Sequence, residues 1–246
     1  MKNFSGFRFS AKQRIVYTCE AILLTAAIGE AFYGSFTAGI VLSPIALWFL
    51  KRKKRICEKR ELENLKEGFK ECLLLVMAAV NVGYSFENAW KASLDELMGL
   101  LGKEHIMVKK LGEINARLAM NENIESVLED FASASGMEEA GSFCEVMKFA
   151  KRSGGNYRKI IRRSVLQIRE KIEVESEIRT LTAGKRMEQR IMSLLPLGIC
   201  LYLKASSPGY LDVLYGNVKG MAVMTLLLVM YAAAFVLSEK IVDIEV

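Results

Sequence analysis

The residues best placed for chemistry are Gly154 and Gly155, set between Lys151-Arg152 and a charged run that begins at Asn156-Tyr157. A glycine pair ahead of a helix is where a phosphate cradle would stand. The Walker form needs GxxxxGK followed by Ser or Thr, so that the lysine reaches the phosphates and the hydroxyl binds magnesium. Asn156 and Tyr157 supply neither group. The other glycine-lysine pair, Gly184-Lys185, is followed by Arg186 and has Arg179 where the first glycine belongs. The sequence therefore argues against nucleotide binding, and Gly154, Gly155 and Asn156 read as a helix corner.

Other chemistries fare no better. Five cysteines show no CxxC spacing and there is a single histidine, His105, so zinc ligation is not expected. His105 stands in a polar helix start and reads as a surface residue. Intramembrane acid catalysis would need paired carboxylates, and Glu20 and Glu30 stand ten residues apart along one apolar stretch. No cofactor, metal or catalytic residue is expected.

The elements that carry these residues follow from how the apolar residues segregate. They make up 52% of the chain, yet 25% of it is charged. Ile15 to Leu50 contains two glutamates and no other charge. A second apolar region runs from Ile191 to Leu237, interrupted by SSPGYLDVLYGNVKG. As one helix the first region would be about 54 Å long, against a hydrocarbon core of about 30 Å, so two short spans fit better than one. The second region divides in the same way, at Pro208-Gly209 and Gly216-Asn217. A secretory signal peptide does not fit the N-terminus, because the apolar stretch ends at Lys51-Arg52-Lys53-Lys54-Arg55, a stop-transfer pattern. That run, with Lys2, Arg8, Lys12 and Arg14 before the first span, places both flanks on the cytoplasmic side. The net charge of +6 is accounted for largely by these flanks, and nothing in the chain reads as a nucleic-acid motif.

The middle of the chain has helical spacing and no sustained alternation. Leu62, Leu65, Phe69, Cys72, Leu73 and Val76 form one stripe of a first helix that ends near Asn81. Further helices are expected from Ser85, Glu104, Asn123, Glu138 and Asn156. Three starts share one pattern, VGYSFENAW, NENIESVLED and SGGNYRKIIR. Each offers a Ser or Asn cap followed by an apolar residue, Phe86, Ile124 or Tyr157, and another three positions on. The expected fold is all-α. It is an integral membrane protein in which two helical hairpins flank a cytoplasmic six-helix antiparallel bundle. The segments are 1–14 (cytoplasmic), 15–50 (two spans), 51–190 (bundle), 191–237 (two spans) and 238–246 (cytoplasmic tail).

FAKRSGGNYRKIIRRSVLQIREK, then LTAGKR, SLLP and SPGYLDVLYGN, resemble the inner-membrane platform proteins of the tight-adherence (Tad) pilus system. These TadB- and TadC-like proteins are close to the GspF/PilC domain family of type II secretion and type IV pili. The resemblance covers roughly Leu62 to Leu237. It implies a GspF-like bundle and a platform that couples a cytoplasmic secretion ATPase to the extraction and assembly of pilin, without catalytic residues of its own. It also implies a second platform protein of the same family as a partner, oligomerisation and a multi-pass place in the inner (cell) membrane among its lipids. A sporulation-type member of the family, or a membrane regulatory protein with no pilus role, is the alternative.

The site residues follow from both readings. Lys151, Arg152, Arg158, Lys159, Arg162 and Arg163 form either a solvated face with ordinary ion pairs or an electrostatic docking surface for a partner. Glu20 and Glu30 fit either an interfacial position or a buried contact with another subunit. Lys204 is near enough to its span's end to snorkel. Pro196 removes a helix hydrogen bond within the third span, leaving a static kink or a hinge.

Overall fold

The structure is a computed structural model that describes residues 11–34, 43–152, 157–207, 209–210, 212–215 and 217–242. Every regular element among the described residues is helical: α1 (Ala11–Tyr33), α2 (Ser43–Val82), α3 (Phe86–Leu101), α4 (Ile106–Ala119), α5 (Ile124–Ser135), α6 (Glu138–Arg152), α7 (Tyr157–Ser206), α8 (Asp212–Tyr215) and α9 (Val218–Val242). The chain divides into two compact units. One is Ile56–Ser176, and the other contains Arg8–Arg55 and Glu177–Val246. Helices α2 and α7 contribute residues to both.

In the first unit the boundaries of α3, α4 and α5 have local causes. Ser85 caps α3 by accepting from the Asn88 amide, and Asn123 caps α5 by accepting from the Glu125 amide. Each cap occupies an amide that the helix itself leaves unpaired. Gly136 ends α5 in the left-handed region, at φ 66°, a conformation that costs glycine nothing. The helix expected near Glu104 begins instead at Ile106, with His105 as its cap. Its Nδ1 accepts from the Met107 amide at 3.2 Å. His105 is half-buried rather than a surface residue, and burial pushes its pKa down. Neutral imidazole is the form that can accept at a cap.

The amphipathic spacing then builds the core. The stripe read on α2 is buried at Leu65, Phe69, Cys72, Leu73 and Val76. Phe69 packs on Phe131 of α5 and Phe143 of α6, with ring centroids 5.8 and 6.3 Å apart. Trp90 of α3 is completely buried beside Phe86 and Phe143. Neighbours in sequence pack on one another: α3 on α4, α4 on α5, and α5 on α6. Gly68 permits the approach of the α4 start to α2, since a Cβ there would lie 2.6 Å from both His105 and Met107.

One charged group lies inside this unit. Glu139 is only 2% exposed, and its carboxylate accepts from Lys66 of α2 at 3.1 Å and Lys171 of α7 at 2.9 Å. Lys66 also reaches Glu175 at 3.0 Å. Burial alone would raise the Glu139 carboxyl. Hydrogen bonds from Lys171, its own backbone amide and Lys66 outweigh that and hold it below the ordinary carboxylate range.

Among the described residues, the second unit contains two helices long and apolar enough to cross a membrane, Ile15–Tyr33 with mean hydropathy 1.5 and Val218–Ile241 with mean hydropathy 2.3. They pack against each other around Ile28, Ala31, Phe32 and Met224. The second expected span lies partly outside the described residues, at 35–42. The third, 191–205, is the end of the 50-residue α7 and is not among the helices that meet the length and hydropathy requirement. Pro196 sits on an exposed face inside α7, where its missing N–H leaves the Met192 carbonyl without its helical donor.

Candidate docking surface

Tyr157 opens α7, its ring set edge-on to Phe86 of α3 at 5.9 Å. From there the buried positions Ile161, Ser164, Val165, Ile168 and Ile172 recur every three or four residues. That stripe forces Arg158, Lys159, Arg162 and Arg163 outward, and all four are exposed. At the end of α6, Ala150 is buried while Lys151 and Arg152 are exposed. Gly154, Gly155 and Asn156, the expected corner, lie outside the described residues.

The electrostatics differ along α7. Arg169 pairs with Glu173 at 2.8 Å and Lys171 with Glu139. Lys151 is held by Glu125 at 2.7 Å. Arg152, Arg158, Arg162 and Arg163, by contrast, make no ion pair among the described residues. Arg158 is also placed unfavourably, because the first turn of α7 carries no acidic residue and a cation there sits at the positive end of the helix dipole. An anionic partner would relieve both conditions.

Beside this surface lies an open cleft of about 420 Å³. Its walls include Phe86, Ile124 and Tyr157, the apolar residues of the three similar helix starts, with Glu87, Glu125 and Lys151 at its polar edge. The recurring pattern therefore marks one place in the fold. Burial pushes the Tyr157 hydroxyl up to about 12, and the charges of Glu87 and Glu125 add to the shift.

The remaining candidates belong to the second unit. Glu20 pairs with Lys53 at 3.0 Å, and Glu30 pairs with Lys204. Each glutamate of the apolar stretch thus has its own lysine. The Lys204 ammonium also lies over the Tyr215 ring, 5.8 Å from its centroid.

No group of three or more potential ligand side chains suited to a metal occurs among the described residues. Burial pushes the thiols of Cys72 and Cys144 well up, the latter to about 11 with a contribution from Glu145. Both are therefore neutral near pH 7 and poor nucleophiles. The buried Glu139 cluster is what sequence reasoning missed. Its only local signal is the acidic pair in the first turn of α6, Glu138-Glu139, which is ordinary at a helix start. No family model, curated protein or solved structure matches the chain.

Proposed function

We propose that the chain is an inner-membrane platform protein of a Tad-like pilus or type II secretion machine. In this reading two hairpins embed the second unit in the bilayer. The first unit is a cytoplasmic, antiparallel, GspF-like six-helix bundle. Its basic surface receives a secretion ATPase, and the assembly hands pilin from the membrane to the growing fibre. The platform works mechanically, through docking and displacement, while the ATPase supplies the chemical energy.

The observation that carries this reading is the unpaired state of Arg152, Arg158, Arg162 and Arg163. Exposed arginines with no ion pair of their own leave this face open to an anionic partner, whereas Arg169 is already answered by Glu173. Two helices of membrane-crossing length and composition support the membrane half of the proposal. The resemblance of residues 149–216 to Tad platform proteins supplies the identity of the partner.

Reversing Arg162 and Arg163 to glutamate tests it. Both side chains are exposed and opposite the buried stripe, so helicity and thermal midpoint are expected to be unchanged. Co-purification with the co-expressed secretion ATPase should fall at least tenfold, since close interfacial charge pairs are worth about 1.5 kcal/mol or more each. Undiminished co-purification of the double variant would remove the docking assignment.

A further inference from the structure

The basic run Lys51–Arg55 has a divided geometry. Two of its members face other helices of the same unit. Arg52 pairs with Glu239 of α9 and lies over the Phe235 ring, 5.2 Å from its centroid. Lys53 pairs with Glu20 of α1 and lies 5.3 and 5.2 Å from the ring centroids of Tyr17 and Phe49. These two residues fasten α2 to the helices on either side. Lys51 and Arg55, one turn apart, are exposed and have no ion-pair partner among the described residues. Lys240, next to the Glu239 that holds Arg52, is exposed as well.

The depth of this group follows from the same contacts. Glu20 lies five residues into the candidate span Ile15–Tyr33, about 8 Å from its start. Glu239 lies two residues before the end of the other, Val218–Ile241. The run therefore stands where one candidate span begins and the other ends, at a single boundary of the apolar layer. Lysine and arginine stems of this length can lie along apolar surface while their charged heads reach the headgroup zone.

We propose that Lys51, Arg55 and Lys240 bind acidic phospholipid headgroups in the leaflet where α1 begins and α9 ends. This rests on the membrane reading above. Phosphodiester anions are the chemistry that complements three outward cations at that depth. The attraction is about 1 kcal/mol, or about fivefold in affinity, for each basic residue at such a surface. The inward pair, Arg52 and Lys53, holds the helices together and leaves the outward cations to the lipid. The run thus has two roles, divided by the angular spacing of successive residues on one helix.

The test uses the full chain reconstituted in phosphatidylcholine, with or without phosphatidylglycerol. The readouts are the ratio of the two lipids retained on purification, measured by native mass spectrometry, and the unfolding midpoint in each bilayer. The natural chain should retain phosphatidylglycerol above its bulk proportion and melt at higher temperature in its presence, with both effects weakening as salt is raised. K51Q/R55Q should lose most of that preference, about fivefold for each charge removed. K53Q, which breaks an internal pair, should lower the midpoint equally in both bilayers and keep the lipid preference. Equal retention of the two lipids by the natural chain, an unchanged preference in K51Q/R55Q, or an equal loss in K53Q would overturn the proposal. A salt-sensitive loss of a bound acidic protein, with no lipid preference, would do the same. Failure to enter either bilayer would instead sink the membrane reading, and this inference with it.

Discussion

Replacing Glu139 with glutamine should destabilise the Ile56–Ser176 unit by about 3 kcal/mol. Removing one partner of a buried ion pair costs roughly 3–5 kcal/mol, because the remaining charge is left uncompensated. The lower end applies here for a structural reason. Lys66 and Lys171 are 21% and 49% exposed, so both can recover hydration, and Lys66 still has Glu175 at 3.0 Å. The chain has two tryptophans, and replacing Trp48 with phenylalanine leaves the fully buried Trp90 to report on this core. With a urea dependence of about 2 kcal/mol per molar, the Trp90 transition should move down by about 1.5 M. The pH dependence adds a second signature. A carboxyl held below its unfolded pKa adds stability that is complete above the unfolded value near 4.3. That stability is lost as pH falls through the folded value. E139Q should therefore show a shallower acid limb than the natural chain. A shift of less than about 0.3 M, with the acid limb unchanged, would refute the view that Glu139 joins α2, α6 and α7.

Gly68→Ala should cost about 1–3 kcal/mol, measured by the same urea transition, because its Cβ would lie 2.6 Å from His105 and Met107 and force the α4 start outward. N123A and S85A should each cost about 1 kcal/mol by removing a side-chain acceptor from a helix start, whereas glycine at either position should cost only a few tenths. An alanine no worse than glycine would show that these caps add nothing.

What the sequence disclosed here was local. Ser85 and Asn123 were legible as caps because capping depends on the side chain and the next few amides. The buried stripe of α2 followed from residue spacing alone. His105 was not legible as a cap, since its role depends on the desolvated, neutral ring that Gly68 leaves room for. Glu139 looked like any first-turn acid, and its partners Lys66 and Lys171 are brought to it only by the packing of α2 and α7. Phe86, Ile124 and Tyr157 were visible as a repeated pattern, but their meeting at one cleft is a tertiary fact. Glu20 and Glu30 were visible as costly charges. The lysines that answer them, Lys53 and Lys204, come from other helices, and spacing along the chain does not show that.

Alkaline extraction of membranes from cells expressing the natural chain tests directly whether the second unit is embedded in a bilayer. The protein should stay with the membrane pellet through carbonate washing and be released only by detergent. Recovery in the aqueous wash as a monodisperse, detergent-free protein would contradict the account.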